Sequence, residues 1–153
     1  MVLLCGNISI TKEKENKTMR KTYYVDMDGV IANFHKEPYS YKNAISREWI
    51  ANLEPFMDNV TVVRNLIAQG NNVYILSKAA KETSKQGKIE WLARYIPELV
   101  EENIIIIVGN GKKVDYMREE GILIDDDMKN VRPWIKAGHE AIYLEVKGMR
   151  ISL

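Results

Sequence analysis

Cysteine is all but missing: Cys5 stands alone, so no internal disulfide can staple the fold. With seven methionines beside that lone thiol, a reducing compartment is indicated and the cytoplasm is the expected location. An excess of either charge is missing too. The 22 basic and 21 acidic side chains nearly cancel, which removes the broad positive field that a nucleic-acid polymer or an anionic membrane surface would require. Long apolar runs are absent: no stretch approaches the ~18 consecutive apolar residues of a membrane span. The opening Met-Val-Leu-Leu-Cys-Gly lacks the basic flank and the length of a signal peptide. There are no internal repeats. What remains is one domain of ordinary size, 153 residues of which 46% are hydrophobic and 28% charged, enough for a single core. Neither a nucleic-acid polymer nor a membrane is expected as a partner, a homodimer is compatible with this composition, and any anionic small molecule must be held by local groups. Residues 1–20, polar and lysine-rich after the first few positions, read as a poorly ordered leader, with Met19 as an alternative start, and residues 21–153 as the domain proper.

What is present is a rhythm. From Lys21 onward, short β-rich runs alternate with longer amphipathic ones, the pattern of an α/β fold with a parallel sheet and flanking helices. Strands are expected at 22–25, 72–76, 103–108 and 121–124, each nearly continuous in apolar residues as strands buried on both faces should be, with a fifth at 141–144. Helices are expected at 60–69, ending at Gly70; at 83–95, ended by Pro97; at 113–120, ending at Gly121; and at 130–137, ending at Gly138. Residues 33–58 break the rhythm. They are rich in aromatics (Phe34, Tyr39, Tyr41, Trp49, Phe56) and carry one short helical pattern near 45–53, which suits a small helical cap inserted after the first strand; a long ordinary crossover is the alternative.

In doubly wound sheets, ligands bind outside the carboxyl ends of the strands. The residues expected there are Asp26-Met-Asp28-Gly29, then Ser77-Lys78, then the loop leading to Lys113, then Asp125-Asp126-Asp127. Carboxylates from two strands suit Mg²⁺, which takes hard oxygen ligands and bridges to phosphate. A hydroxyl and a lysine suit the remaining phosphate oxygens. Asp26 is placed to attack phosphorus, while Asp28, turned by Gly29, is placed to give a proton to the leaving oxygen and then to activate water. This is phosphoryl-transfer chemistry.

These segments, Asp26-Met-Asp-Gly-Val-Ile-Ala-Asn-Phe34, Ile75-Leu-Ser77, Lys113 and Ile122-Leu-Ile-Asp-Asp126, resemble in order the four motifs of the haloacid dehalogenase superfamily. The first motif, with Leu53-Glu-Pro55, is most similar to the cytosolic 5'(3')-deoxyribonucleotidases and their bacterial and phage relatives. The resemblance implies a Rossmann-like core and a Mg²⁺-dependent phosphomonoesterase acting through an aspartyl-phosphate on a deoxynucleoside monophosphate. Asp26 matches its nucleophile and Asp28 its general acid/base, whose backbone carbonyl also meets the metal. Ser77 and Lys113 match its phosphate-binding groups, Asp125 its further metal carboxylate and Asp126 the acidic neighbour of that site. Phe34, and Trp49 from the cap, match positions that pack against the base. Lys78 stands where the family carries a small polar residue, and Lys112 competes with Lys113 for the lysine role.

Each residue also has a plainer reading. On that reading Ser77 is a turn cap, Lys113 a solvated charge, Asp127 a cap or loop residue, and Phe34, Trp49 and Tyr41 core of the cap. His35, His139 and Cys5 receive no role, and Trp91 and Trp134 read as packing residues. The alternatives at the level of function are a phosphatase for another small phosphorylated metabolite, a receiver-like phosphoacceptor domain, and a catalytically silent binding protein. A receiver would carry its phosphorylated Asp after the third strand, where Val108-Gly-Asn offers none.

Overall fold

The structure, a computed structural model, describes residues 20–36 and 39–153. The expectations for Cys5, for Met19 and for most of the leader lie outside the described residues. Five strands form one parallel sheet in the order β3-β2-β1-β4-β5: β1 (Thr22–Val25), β2 (Asn72–Ala79), β3 (Ile104–Val108), β4 (Ile122–Asp125) and β5 (Ala141–Tyr143). A receiver-type sheet runs 2-1-3-4-5 instead, so the strand order separates this fold from that alternative. Two short helices, α1 (Tyr41–Ala44) and α2 (Arg47–Ala51), precede the crossover helix α3 (Met57–Ala68); α4 (Glu82–Tyr95) joins β2 to β3, and α5 (Met128–Lys136) joins β4 to β5.

Alternation of side chains along the strands divides the interior into two cores. Tyr23, Val25, Val73, Ile75 and Ile124 face α3 and α4, where Val60, Val63, Leu66, Trp91 and Leu92 close over them. Tyr24, Tyr74, Leu76, Ile105, Ile107 and Leu123 face the other way and meet Val131 and Trp134 of α5. Helices thus cover both faces, which is why the strand sequences carry almost no polar residue until they reach their carboxyl ends.

Three expectations need correction. β2 continues through Ser77 and Lys78 to Ala79 because its register with Ile106, Ile107 and Val108 extends the ladder, so Ser77 lies inside the strand, and fully buried, where the sequence placed it just beyond. Asp125 likewise is the last residue of β4. The helix expected at 113–120 is only a 3-10 turn, Lys113–Tyr116. The amides of Arg118 and Glu119 donate to the Tyr24 hydroxyl at 3.0 Å each, and this draws the chain away from a helical path.

Residues 39–56 do not stand away from the sheet but lie along α4. Thr83 Oγ1 and Ser84 Oγ donate to the carbonyls of Ile45 (2.6 Å) and Ala44 (2.9 Å), Trp91 Nε1 donates to Leu53 O at 2.9 Å, and Arg47 pairs with Glu90. Helix α4 tolerates this close approach because residue 87 is glycine: a Cβ there would sit 2.5 Å from Arg47 O.

Candidate active site

The site begins where β1 ends. Asp26 N still donates to Ile124 O (2.9 Å), continuing the ladder to β4, and the chain then folds back so that the amides of Val30, Ile31 and Ala32 all donate to Met27 O. Gly29 makes the reversal at φ +80°, a conformation that costs an L side chain about 1–2 kcal/mol. The loop is tied from below by Asn59, fully buried on α3: its Nδ2 donates to Val30 O and Met149 O, both 2.8 Å, and its Oδ1 accepts from Ile151 N. From the C-terminal side Gly148 N donates to Gly29 O at 2.8 Å. These bonds set where Asp26 and Asp28 point.

Strands β1 and β4 are neighbours at the point where the strand order reverses, so Asp26 and Asp125 are brought together at the topological switch point. Lys113 joins them. Its Nζ donates to Asp26 Oδ1 and Asp125 Oδ2, each at 2.7 Å, and only 3% of the residue is exposed; Lys112 is exposed. The other oxygen of Asp125 accepts from Asp127 N at 2.9 Å, while Asp127 caps α5 through Lys129 N.

Burial pushes the Asp26 carboxyl up to about 6, against the pull of Lys113. Asp125 also rises to about 6, through burial and then the charge of Asp26, and Asp126 is raised by burial and Asp125. Burial works against the charge on Lys113, but Asp26 and Asp125 outweigh it and hold the ammonium above the usual lysine range.

Oxygens of Asp26, Asp125 and Asp126 lie within 4.8 Å of one another, a span that a small hard cation can bridge directly or through its waters. Lys113 pairs with Asp26 and Asp125, Lys88 with Asp28, and Lys147 approaches Asp126. Three carboxylates within that span are the hard oxygen donors that a divalent cation takes. The donor set therefore fits a divalent metal. The carboxylate of Asp28 lies outside that cluster, turned toward a different lysine.

That lysine, Lys88, carried no signal in the motif reading. It projects from α4 with its Nζ 2.5 Å from Asp28 Oδ2 and 2.9 Å from Ser77 Oγ, and it lies 5.7 Å from the centre of the Phe34 ring. Its position three residues before Trp91 and four before Leu92 puts it on the buried face of the helix. A lysine on an apolar face was the available clue. Asp28 Oδ1 is buried without a hydrogen-bond partner among the described residues.

Asp26, Asp28, Lys78, Lys113 and Asp126 line one cleft of about 370 Å³, with His35, Asp127, Asn130 and Lys147. Sequence reasoning had given no role to His35 and had passed over Asn130 and Lys147; Lys147 approaches Asp126 at 3.9 Å. Burial, then Lys147, lowers the His35 imidazole from its usual range. Phe34 stands beside the cleft, edge-on to His35 (5.5 Å) and to Trp49 (5.6 Å). Trp49 itself lines a separate cavity with Lys36, Glu48 and Asn52.

Among solved structures, the class C acid phosphatase from Bacillus anthracis is similar. With tungstate bound it matches at a TM-score of 0.57, covering 91% of this chain and 72% of that one at 16% identity, and a second structure of that enzyme gives 0.58 with the same coverage and identity. This likeness is one of fold. A search of curated proteins finds no match. The family model described as "5' nucleotidase, deoxy (Pyrimidine), cytosolic type C protein" matches residues 38–145, a segment that begins after Asp26 and Asp28. Four of the five strands fall inside that segment, as do Ser77, Lys113 and Asp125. The chain belongs to this family within the haloacid dehalogenase superfamily and is a phosphomonoesterase of the 5'-nucleotidase type.

Proposed function

We propose that the protein is a Mg²⁺-dependent, cytoplasmic deoxyribonucleotidase that hydrolyses nucleoside monophosphates through an aspartyl-phosphate on Asp26. The observation that carries this reading is the convergence of Asp26, Asp125 and Lys113 at 2.7 Å contacts in a cleft that Asp28 also lines. Asp26, Asp125 and Asp126, with the backbone carbonyl of Asp28, would hold the cation, and Mg²⁺ bound there supplies charge neutralisation between an anionic nucleophile and an anionic phosphate.

An oxygen of Asp26 attacks phosphorus while the bond to the leaving oxygen breaks, and Asp28 gives that oxygen its proton. The resulting Asp28 carboxylate then takes a proton from water as the water attacks the acyl-phosphate and frees Asp26. Lys113, Ser77 and Lys78 bind phosphate oxygens and hold the phosphorus in line with Asp26. Phe34, with His35 at the cleft and Trp49 behind it, offers an aromatic wall for a nucleobase. Residues 33–58 form a small cap that reaches the cleft at His35 while its 39–56 portion packs along α4, and it limits the site to small leaving groups.

The test is phosphate release across deoxynucleoside and ribonucleoside 5'- and 3'-monophosphates, sugar phosphates and p-nitrophenyl phosphate, with Mg²⁺ and with chelator. Preference for deoxynucleotides, abolished by chelator, is expected. Turnover confined to sugar phosphates would overturn the substrate assignment, and full activity in chelator would overturn the metal assignment.

A further inference from the structure

Lys88 is a buried cation in this site that the reaction above leaves without a task. Only 1% of the residue is exposed, and it shares the buried face of α4 with Ser84, Gly87, Trp91 and Leu92. Burying an ammonium group is costly unless it is paired and hydrogen-bonded, and both of its contacts fall on residues that the reaction needs. One is Asp28 Oδ2 at 2.5 Å; the other is Ser77 Oγ at 2.9 Å.

Each contact fixes a direction. A carboxyl group turns freely about its last torsion unless one oxygen is held, and with Oδ2 held by Lys88, the oxygen left without a partner among the described residues is Oδ1, on a side chain that lines the cleft. A hydroxyl has one donor hydrogen and two acceptor lone pairs. Because Lys88 donates into a lone pair of the fully buried Ser77 hydroxyl, the Ser77 hydrogen points away from the ammonium. One ammonium therefore fixes both the proton donor for the leaving group and the hydroxyl beside it.

We propose that Lys88 is a positioning residue that locks the Asp28 carboxyl in one orientation for proton transfer and fixes the Ser77 hydroxyl beside it. The proposal rests on the reading of Asp28 as the group that moves the proton. As the phosphorus–oxygen bond breaks, the proton passes from the Asp28 carboxyl to the departing oxygen and the carboxylate that remains is paired with the Lys88 ammonium; when water attacks the acyl-phosphate, the proton lost by water returns to that carboxyl.

The decisive comparison uses two leaving groups. A nucleoside alkoxide must be protonated as it leaves, whereas p-nitrophenolate departs without a proton. In the full chain with Mg²⁺, Lys88→Met is expected to lower kcat/KM, which reports only the steps up to departure of the leaving group, by about 10²-fold or more on a deoxynucleoside monophosphate, the range of general acid catalysis. On p-nitrophenyl phosphate the loss in kcat/KM is expected to be at least about tenfold smaller. Asp28→Asn should show the same split in kcat/KM, and adding Lys88→Met to it should cost little more on the nucleotide. Equal losses on both substrates in a folded Lys88→Met protein, or no loss, would overturn the proposal. If Lys88→Met does not fold, the same ratio is read from Lys88→Gln. A leaving-group split in Asp28→Asn that is absent from the Lys88 variant refutes the role of Lys88 alone; absence of the split in Asp28→Asn refutes the role of Asp28 and the proposal with it.

Discussion

Asp126 closes over Gly29 so tightly that a Cβ at residue 29 would stand 2.1 Å from Asp126 Oδ2. The contact places a member of the acidic cluster directly on the turn that separates Asp26 from the rest of its motif, and it leaves no room for a side chain. Gly29→Ala is therefore expected to displace Asp126 and strain the turn at once. Stability should fall by about 1–3 kcal/mol in a thermal melt, and phosphate release by 10²-fold or more, since small misplacements of reacting groups have effects of that order. A fully active Gly29→Ala protein would show that Asp126 and this turn are dispensable.

Lys113 keeps two carboxylates together that would otherwise repel. Removing one partner of a buried ion pair typically costs about 3–5 kcal/mol, so Lys113→Met is expected to lose stability of that order in urea titrations with chelator. Part of the loss should return with Mg²⁺, because a cation binding the cluster again separates Asp26 from Asp125. Lys112→Met, at an exposed position, should change stability by less than about 0.5 kcal/mol.

The metal-free protein should respond to pH in a definite direction. Asp26 and Asp125 titrate near 6 in the fold against an ordinary value near 4, so between those values the folded protein binds more protons than the unfolded chain. Their contribution to stability is complete below about pH 4 and is lost as pH rises through about 6. In chelator, Asp125→Asn should lose less stability across this window than the wild type does. Saturating Mg²⁺ at neutral pH should restore what the wild type has lost. Urea midpoints measured every half unit of pH, with and without Mg²⁺, check both statements; identical slopes for the two proteins would contradict them.

Much of the site was legible because its residues sit where chain grammar is strict. A buried strand followed by Asp-x-Asp-Gly, and another followed by three aspartates, put Asp26, Asp28 and Asp125 at neighbouring strand ends without reference to any side-chain contact. Lys113 was preferred to Lys112 for its place at the start of the helix expected there; the element is a 3-10 turn, and only its geometry shows Lys113 buried and Lys112 exposed. Lys88 was hidden for a different reason: helical periodicity is counted on apolar residues, and a lysine on the buried face is discounted as a gap in the pattern. The continuation of β2 through Ser77 was hidden by weak local preference and set by pairing with β3. Trp49 was placed on the same wall as Phe34 by its spacing to Leu53-Glu-Pro55, and only the packing of α2 against α4 shows the two rings meeting edge to face while Trp49 faces another cavity.

Asn59 joins α3, the loop after Asp26 and the C-terminal segment through Val30 O, Met149 O and Ile151 N. Asn59→Ala leaves two buried backbone groups, Val30 O and Ile151 N, without this partner, each worth about 1–3 kcal/mol. The variant is expected to be markedly destabilised, with faster hydrogen exchange at the amides of Val30, Ile31 and Ala32 than at β2. Unchanged exchange at these amides would show that the loop is held by other means.

The account turns on Asp26 as the nucleophile. Phosphate release from deoxyuridine monophosphate with Mg²⁺, compared between the wild type and Asp26→Asn, tests this most directly. Loss of at least about 10⁴-fold in kcat is predicted for the variant, because an amide cannot form the acyl-phosphate; turnover at the wild-type rate would contradict the account.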